Sequence, residues 1–141
     1  ERQQILAEME YGDINRSQIS LHLAVTPQTV NMVDTGFLAG MKDGAFIVNT
    51  ARGDLVDSAA LAKALCSGKI AGAGLDTIAP EPVTTENPLL SLPHDVAETV
   101  IYSPHIAGIT GTSGRRNYRM IAAAIRAVQN GQRPENIVNG L

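Results

Sequence analysis

Apolar positions along this chain alternate between two kinds of segment. Ile5, Leu6 and Met9 fall on one helical face, and Gly12 ends that stretch. Gln18–Leu23 is short and apolar, a strand candidate, and Pro27 breaks it. Asp34 is placed to cap a helix whose Phe37, Leu38 and Met41 share a face. Lys42-Asp43-Gly44 is a turn signal, after which Ala45–Asn49 reads as a buried strand.

The alternation then repeats. Asp57 or Ser58 caps a helix carrying Leu61, Ala62 and Leu65, and Gly68 stands where a left-handed C-cap is expected. Ile70–Leu75 is a strand rich in small residues and ends at Asp76. Thr77 to Asp95 reads as loop, with prolines at 80, 82, 88 and 93. Thr99–Ser103 is a further strand, stopped by Pro104. Past the Gly/Thr-rich stretch 108–114, the longest helix is expected from Arg115 to Asn130, with Ile121, Ile125 and Val128 as its stripe and Gly131 as its stop. Asn136–Val138 is a last short extended piece. Strands separated by helices of about a dozen residues predict βα units and an open parallel α/β sheet. The continuous apolar strands suggest helices on both sheet faces.

Composition narrows the function classes. At 141 residues the chain has room for one compact domain, and such a chain buries roughly 70% of the surface it exposes when unfolded. Hydrophobic content of 44% against 18% charged argues for a packed core rather than disorder. A net charge of −3, with 4% aromatics and no Trp, speaks against nucleic-acid partners. No apolar run is long enough to span a bilayer, and the start ERQQILAEME is not a signal peptide. A single cysteine, Cys66, excludes an internal disulfide framework and fits a reducing cytoplasm. No metal-ligand spacing is visible.

In parallel sheets, ligands bind beyond the carboxyl ends of the strands, and the residues with chemical potential collect there. Arg52 follows the 45–49 strand, Asp76 closes the 70–75 strand with Glu81 further into the loop, and His105 follows the 99–103 strand. A guanidinium grips a carboxylate or carbonyl directionally. A histidine gives and takes a proton near neutrality, and a carboxylate beside it fixes its tautomer. The combination suggests proton transfer on a carboxylate-bearing substrate.

Four stretches together are more specific: SLHLAVTPQT (20–29), GAFIVNTARGDLVD (44–57), KIAGAGLDTIAPEP (69–82) and YSPHIAG (102–108). In this order, with helices between, they closely resemble the second half of the nucleotide-binding domain of D-isomer-specific 2-hydroxyacid dehydrogenases, the group containing D-3-phosphoglycerate and D-lactate dehydrogenases. The resemblance covers the chain from about Ser20 and is weak over residues 1–19. It implies a partial Rossmann-like, doubly wound α/β fold. It also implies an NAD-dependent oxidoreductase acting on a small 2-hydroxy or 2-keto acid, with NADP as the other cofactor compatible with it. By the same resemblance Arg52 binds the substrate carboxylate and carbonyl, His105 is the general acid/base and Glu81 is its partner. Asp76 contacts the nicotinamide side of the cofactor. Leu23, Ala24, Thr29, Thr50, Ala51, Arg52, His105, Ala107 and Gly108 match cofactor-lining segments.

The sequence departs from the family pattern at Ala24, where proline is frequent, at Ile78, where an aromatic is common, and at Gln18, which replaces an acid. The family's G-x-G-x-x-G fingerprint is absent: Gly72-Ala73-Gly74 lacks the third glycine, since position 77 is threonine, and sits within a strand rather than at a strand-to-helix turn. The expectation is therefore the later part of an NAD-binding domain over 1–141, with the glycine-rich half and the substrate domain lying outside it. The chain alone is expected to be inactive, and the full-length protein to be a cytoplasmic homodimer. The alternative is a non-catalytic, corepressor-like or regulatory binding module on the same fold. His22 is expected to be packed in its strand, His94 exposed, Cys66 packed in its helix, and Arg115, Arg116 and Arg119 on one polar helix face. Asn15-Arg16-Ser17 matches a glycosylation acceptor but has no secretory context.

Overall fold

The structure is a computed structural model that describes residues 17–135 and 137. The expected first helix (Ile5, Leu6, Met9, Gly12) lies outside the described residues, as do Asn15, Arg16 and most of the 136–138 piece. The chain divides into two units, Glu1–His105 and Ile106–Leu141.

The first unit is built on four parallel strands, β1 (Gln18–Leu21), β2 (Ala45–Asn49), β3 (Ile70–Leu75) and β4 (Val100–Tyr102), lying side by side in chain order. Between them run α1 (Thr35–Gly40), α2 (Ser58–Cys66) and the short α3 (His94–Ala97). Both expected N-caps form: Asp34 Oδ1 accepts from the Phe37 amide at 2.9 Å, and Asp57 Oδ1 from those of Ala59 and Ala60. Such caps satisfy amide donors that a helix start otherwise leaves orphaned. Gly68 closes α2 at φ +73°, a conformation costly to any residue with a β-carbon.

Period-two alternation sorts the sheet into two unlike faces. Ala45, Ile47, Ala73, Leu75 and Val100 join Phe37, Leu38, Leu61 and Leu65 in one buried cluster under α1 and α2. The opposite face carries Phe46, paired in register with Gly72, and Ile101, paired with Gly74. Phe46 is 51% and Ile101 74% exposed. Among the described residues of this unit, helices cover one face. Phe46, Val48 and Ile101 are as apolar as their inward neighbours, which is why the strand sequences suggest a second covered face.

Other differences are local. β1 ends at Leu21, so His22 is not packed in a strand: it is exposed, with its Nε2 2.9 Å from Ser20 Oγ. Cys66 is likewise exposed, at the last position of α2, rather than packed. The 77–95 loop contains a 3₁₀ turn (Pro88–Leu90) and runs into α3, which begins at His94. The His94 side chain is exposed, as expected.

The second unit holds α4 (Gly111–Gln129), which begins four residues before the expected Arg115. Thr110 Oγ1 accepts from the Ser113 amide at 3.0 Å, and Ser113 Oγ accepts from the Thr110 amide at 2.9 Å. This reciprocal capping box turns the Gly/Thr-rich stretch into the helix's first turn. No helix among the described residues is long and apolar enough to cross a membrane.

Candidate functional site

β2 ends on Asn49, a polar side chain with no exposure at all. Its Nδ2 donates to the Arg52 carbonyl at 2.8 Å, and its Oδ1 accepts from the Ala51 amide at 3.0 Å. The turn Thr50-Ala51-Arg52 is thus wrapped around a buried amide that satisfies its own donor and acceptor needs. Arg52 emerges exposed, its Nη1 donating to the Ala51 carbonyl at 2.6 Å. Together with Leu23, Ala24, Thr50 and Ala51 it lines an open cleft of about 530 Å³. Thr29 is buried below this region. Its hydroxyl donates to the Ala24 carbonyl and accepts from the Thr26 amide, both at 2.8 Å, which braces the loop.

The ends of β3 and β4 build a second cleft, of about 560 Å³, lined by Asp76, Glu81 and His105 and by apolar groups including Ile78, Leu90 and Tyr102. Asp76 is 4% exposed; its Oδ1 accepts from Ser103 Oγ at 2.5 Å, and its carbonyl accepts from the His105 amide at 2.8 Å. His105 adopts left-handed backbone, φ +54°. Its Nδ1 lies 3.0 Å from Glu81 Oε1 and 3.1 Å from Oε2, with both side chains a little under half exposed. A carboxylate only accepts, so Nδ1 carries the proton and Nε2 is the nitrogen left for other chemistry.

The loop bearing Glu81 is held from behind. Asn87, 6% exposed, donates through Nδ2 to the Ala79 carbonyl at 2.9 Å and accepts at Oδ1 from the Leu89 amide at 3.0 Å. Tyr102 Oη donates to the Leu89 carbonyl at 2.6 Å, and burial pushes its phenol above the usual tyrosine range. Thr77 Oγ1 is buried with no hydrogen-bond partner among the described residues.

The structure therefore brings Asp76, Glu81 and His105 into one cleft and sets Arg52, Thr50, Ala51, Leu23 and Ala24 in the other. A backbone contact joins the two loops: a β-carbon on Gly53 would stand 2.2 Å from the Ala79 nitrogen. Ala107 and Gly108 belong to the second unit, where the Gly108 carbonyl accepts from Ser113 Oγ at 2.8 Å. Sequence reasoning passed over Asn49, Gly53, Asn87, Tyr102 and Ser103 as site-builders. Two carried signals: Asn49 is polar at the end of an apolar strand, and Asn87-Pro88 is a turn-initiating dipeptide.

A parallel α/β sheet whose guanidinium, buried carboxylate and His–Glu pair all stand past the carboxyl ends of its strands is the architecture of a nucleotide-binding domain. Residues 14–107 match the family model for the D-isomer specific 2-hydroxyacid dehydrogenase, NAD binding domain, and the chain belongs to that family. It is 41% identical over 121 residues to a glyoxylate reductase of Korarchaeum cryptofilum, covering 86% of this chain and 35% of that protein. It is 38% identical over 121 residues to a D-3-phosphoglycerate dehydrogenase of Archaeoglobus fulgidus, covering 86% and 22%. Its fold matches the D-isomer specific 2-hydroxyacid dehydrogenase of Lactobacillus delbrueckii ssp. bulgaricus in its NAD complexed form. That match has a TM-score of 0.78 and 36% identity, over 92% of this chain and 42% of that one. The chain thus spans well under half the length of each, and the Rossmann-like α/β class expected from the sequence is the one found.

Proposed function

We propose that this chain forms the nicotinamide-facing part of the NAD-binding domain of a D-2-hydroxyacid dehydrogenase. In this reading Arg52 binds the substrate, His105 is the acid/base and Glu81 is its partner. The observation that carries it is the His105–Glu81 pair at 3.0 Å, standing in one cleft with the buried carboxylate of Asp76. These residues fit a nicotinamide: Asp76 offers acceptor oxygens to a carboxamide N–H. The apolar wall formed by Ile78, Leu90 and Tyr102 suits a ring that must be kept dry. The dinucleotide, when bound, supplies the hydride.

The protein's part is proton transfer and orientation. In the reducing direction, His105 Nε2 gives its proton to the oxygen of the 2-oxo group as C2 gains the hydride, so the carbonyl becomes a neutral hydroxyl. Glu81 holds the ring through Nδ1 at 3.0 Å and so leaves Nε2 aimed at the substrate oxygen. The Arg52 fork takes the carboxylate and polarises the carbonyl. Leu23, Ala24, Thr50 and Ala51 line the cofactor's path along the β1 and β2 ends, with Thr29 bracing the loop beneath.

Full-length protein containing these residues is expected to oxidise NADH with glyoxylate or pyruvate, and His105→Gln is expected to lower kcat by about 10²- to 10⁴-fold with NADH affinity kept within about threefold. Full activity in His105→Gln would sink the mechanism. NADH binding without turnover of any 2-oxo acid by the unsubstituted protein would instead favour a binding module. The 141-residue chain by itself is expected to show no turnover.

A further inference from the structure

We propose that Ser103 is a positioning residue for His105, acting through Asp76; the proposal rests on the acid/base reading of His105. Three bonds fold the segment 103–105 onto the end of β3. The Ser103 amide donates to the Leu75 carbonyl at 3.0 Å and continues the ladder between β3 and β4. The His105 amide donates to the Asp76 carbonyl at 2.8 Å and to the Ser103 carbonyl at 3.0 Å. Ser103 Oγ donates to Asp76 Oδ1 at 2.5 Å, a short charge-assisted bond to a carboxylate that is 4% exposed.

The arrangement needs such a tie. His105 sits at φ +54°, where a residue with a β-carbon pays a steric cost and stays only if its surroundings over-determine it. Pro104 has no amide hydrogen, so the turn's remaining backbone donors are the amides of Ser103 and His105, joined by the serine hydroxyl. The hydroxyl is a side-chain donor from this turn that reaches Asp76. It fixes at once the carboxylate assigned to the carboxamide and the carbonyl that receives the His105 amide. Acid/base residue and carboxamide acceptor are thereby kept in register, although they lie on different strands.

The test compares Ser103→Ala with Ser103→Thr, which keeps a hydroxyl. In the 141-residue chain, Ser103→Ala is expected to speed hydrogen exchange at the His105 amide by about tenfold or more, with the Ile47 and Leu75 amides unchanged. Ser103→Thr should stay within about threefold of the parent. In the full-length protein, Ser103→Ala should lower kcat by about tenfold or more, with KM for the 2-oxo acid within about threefold and activity recovered in Ser103→Thr. Unchanged His105 exchange overturns the proposal. So does faster exchange at Ile47 and Leu75 too, or faster His105 exchange with kcat intact, because each leaves Ser103 a purely structural part. If the unsubstituted protein turns over no 2-oxo acid, the acid/base reading fails, and the exchange comparison alone decides whether Ser103 holds His105.

Discussion

Arg52 and His105 both stand just past the ends of parallel strands, yet they are held in place by different means. Arg52 belongs to a turn closed within its own neighbourhood, because Asn49 bonds to residues two and three positions ahead. His105 depends on partners far away in sequence: Glu81 is 24 residues off, and Ser103 reaches back 27 residues to Asp76. Glu81 in turn rides on a loop held by Asn87 and Tyr102. A locally closed turn can keep its shape while the rest of the molecule loosens. A pair assembled across loops keeps its geometry only while every tether holds.

The contact between the two regions is where the comparison is easiest to break. Gly53 lies so close to Ile78 and Ala79 that a β-carbon would stand 2.2 Å from a backbone nitrogen, and no side chain can swing aside to make room. Gly53→Ala is therefore expected to cost about 3 kcal/mol or more, at the upper end of overpacking penalties. It should also pull the Arg52 turn and the Glu81 loop apart. Urea unfolding of the 141-residue chain measures the first effect. A nuclear Overhauser contact between the His105 ring and the Glu81 side chain, present in the parent and lost in the variant, measures the second. A variant with parent stability would show that the two loops are not in contact.

Asn49→Ala sharpens the same comparison from one side. It leaves the Ala51 amide and the Arg52 carbonyl without their buried partner, at a cost of about 2 to 3 kcal/mol. The damage is expected to stay local: the midpoint of unfolding falls, but the His105–Glu81 contact persists in the folded molecule. Loss of that contact in Asn49→Ala would mean that the second region leans on the first.

The same division explains what could be read from the chain before its structure. β2 and β3 were legible to the residue, because each is an apolar run bounded by polar residues. The caps at Asp34 and Asp57 were legible because capping is a matter of a few neighbouring positions. The start of α4 was hidden by its glycines and threonines, whose capping box outweighs their poor helix propensity. The positions of Arg52, Asp76, Glu81 and His105 at strand ends followed from topology alone, and their proposed chemistry from resemblance. Tethers such as Ser103 to Asp76 and Tyr102 to Leu89 leave no periodic trace, because a bond between distant residues constrains neither one's neighbours. The outer sheet face is a related case: Phe46 and Ile101 announce that they are apolar, not what covers them.

The smallest expected effect comes from one of those distant tethers. Tyr102→Phe removes the bond to the Leu89 carbonyl, and its cost is expected to be about 1 kcal/mol near neutral pH. Because burial raises the phenol's folded-state pKa above its unfolded value near 10, the folded chain holds that proton more tightly than the unfolded one. The resulting stability is fully present below about pH 10 and is lost as the pH rises through the folded-state value. The gap in unfolding free energy between parent and Tyr102→Phe should therefore narrow between about pH 8 and about pH 11, as the parent loses what the variant never had. Urea titrations of both proteins at the two pH values give the comparison. A gap that stays constant or widens would show that the Tyr102 hydroxyl does not tether the Glu81 loop, and that Asn87 holds it without help from β4.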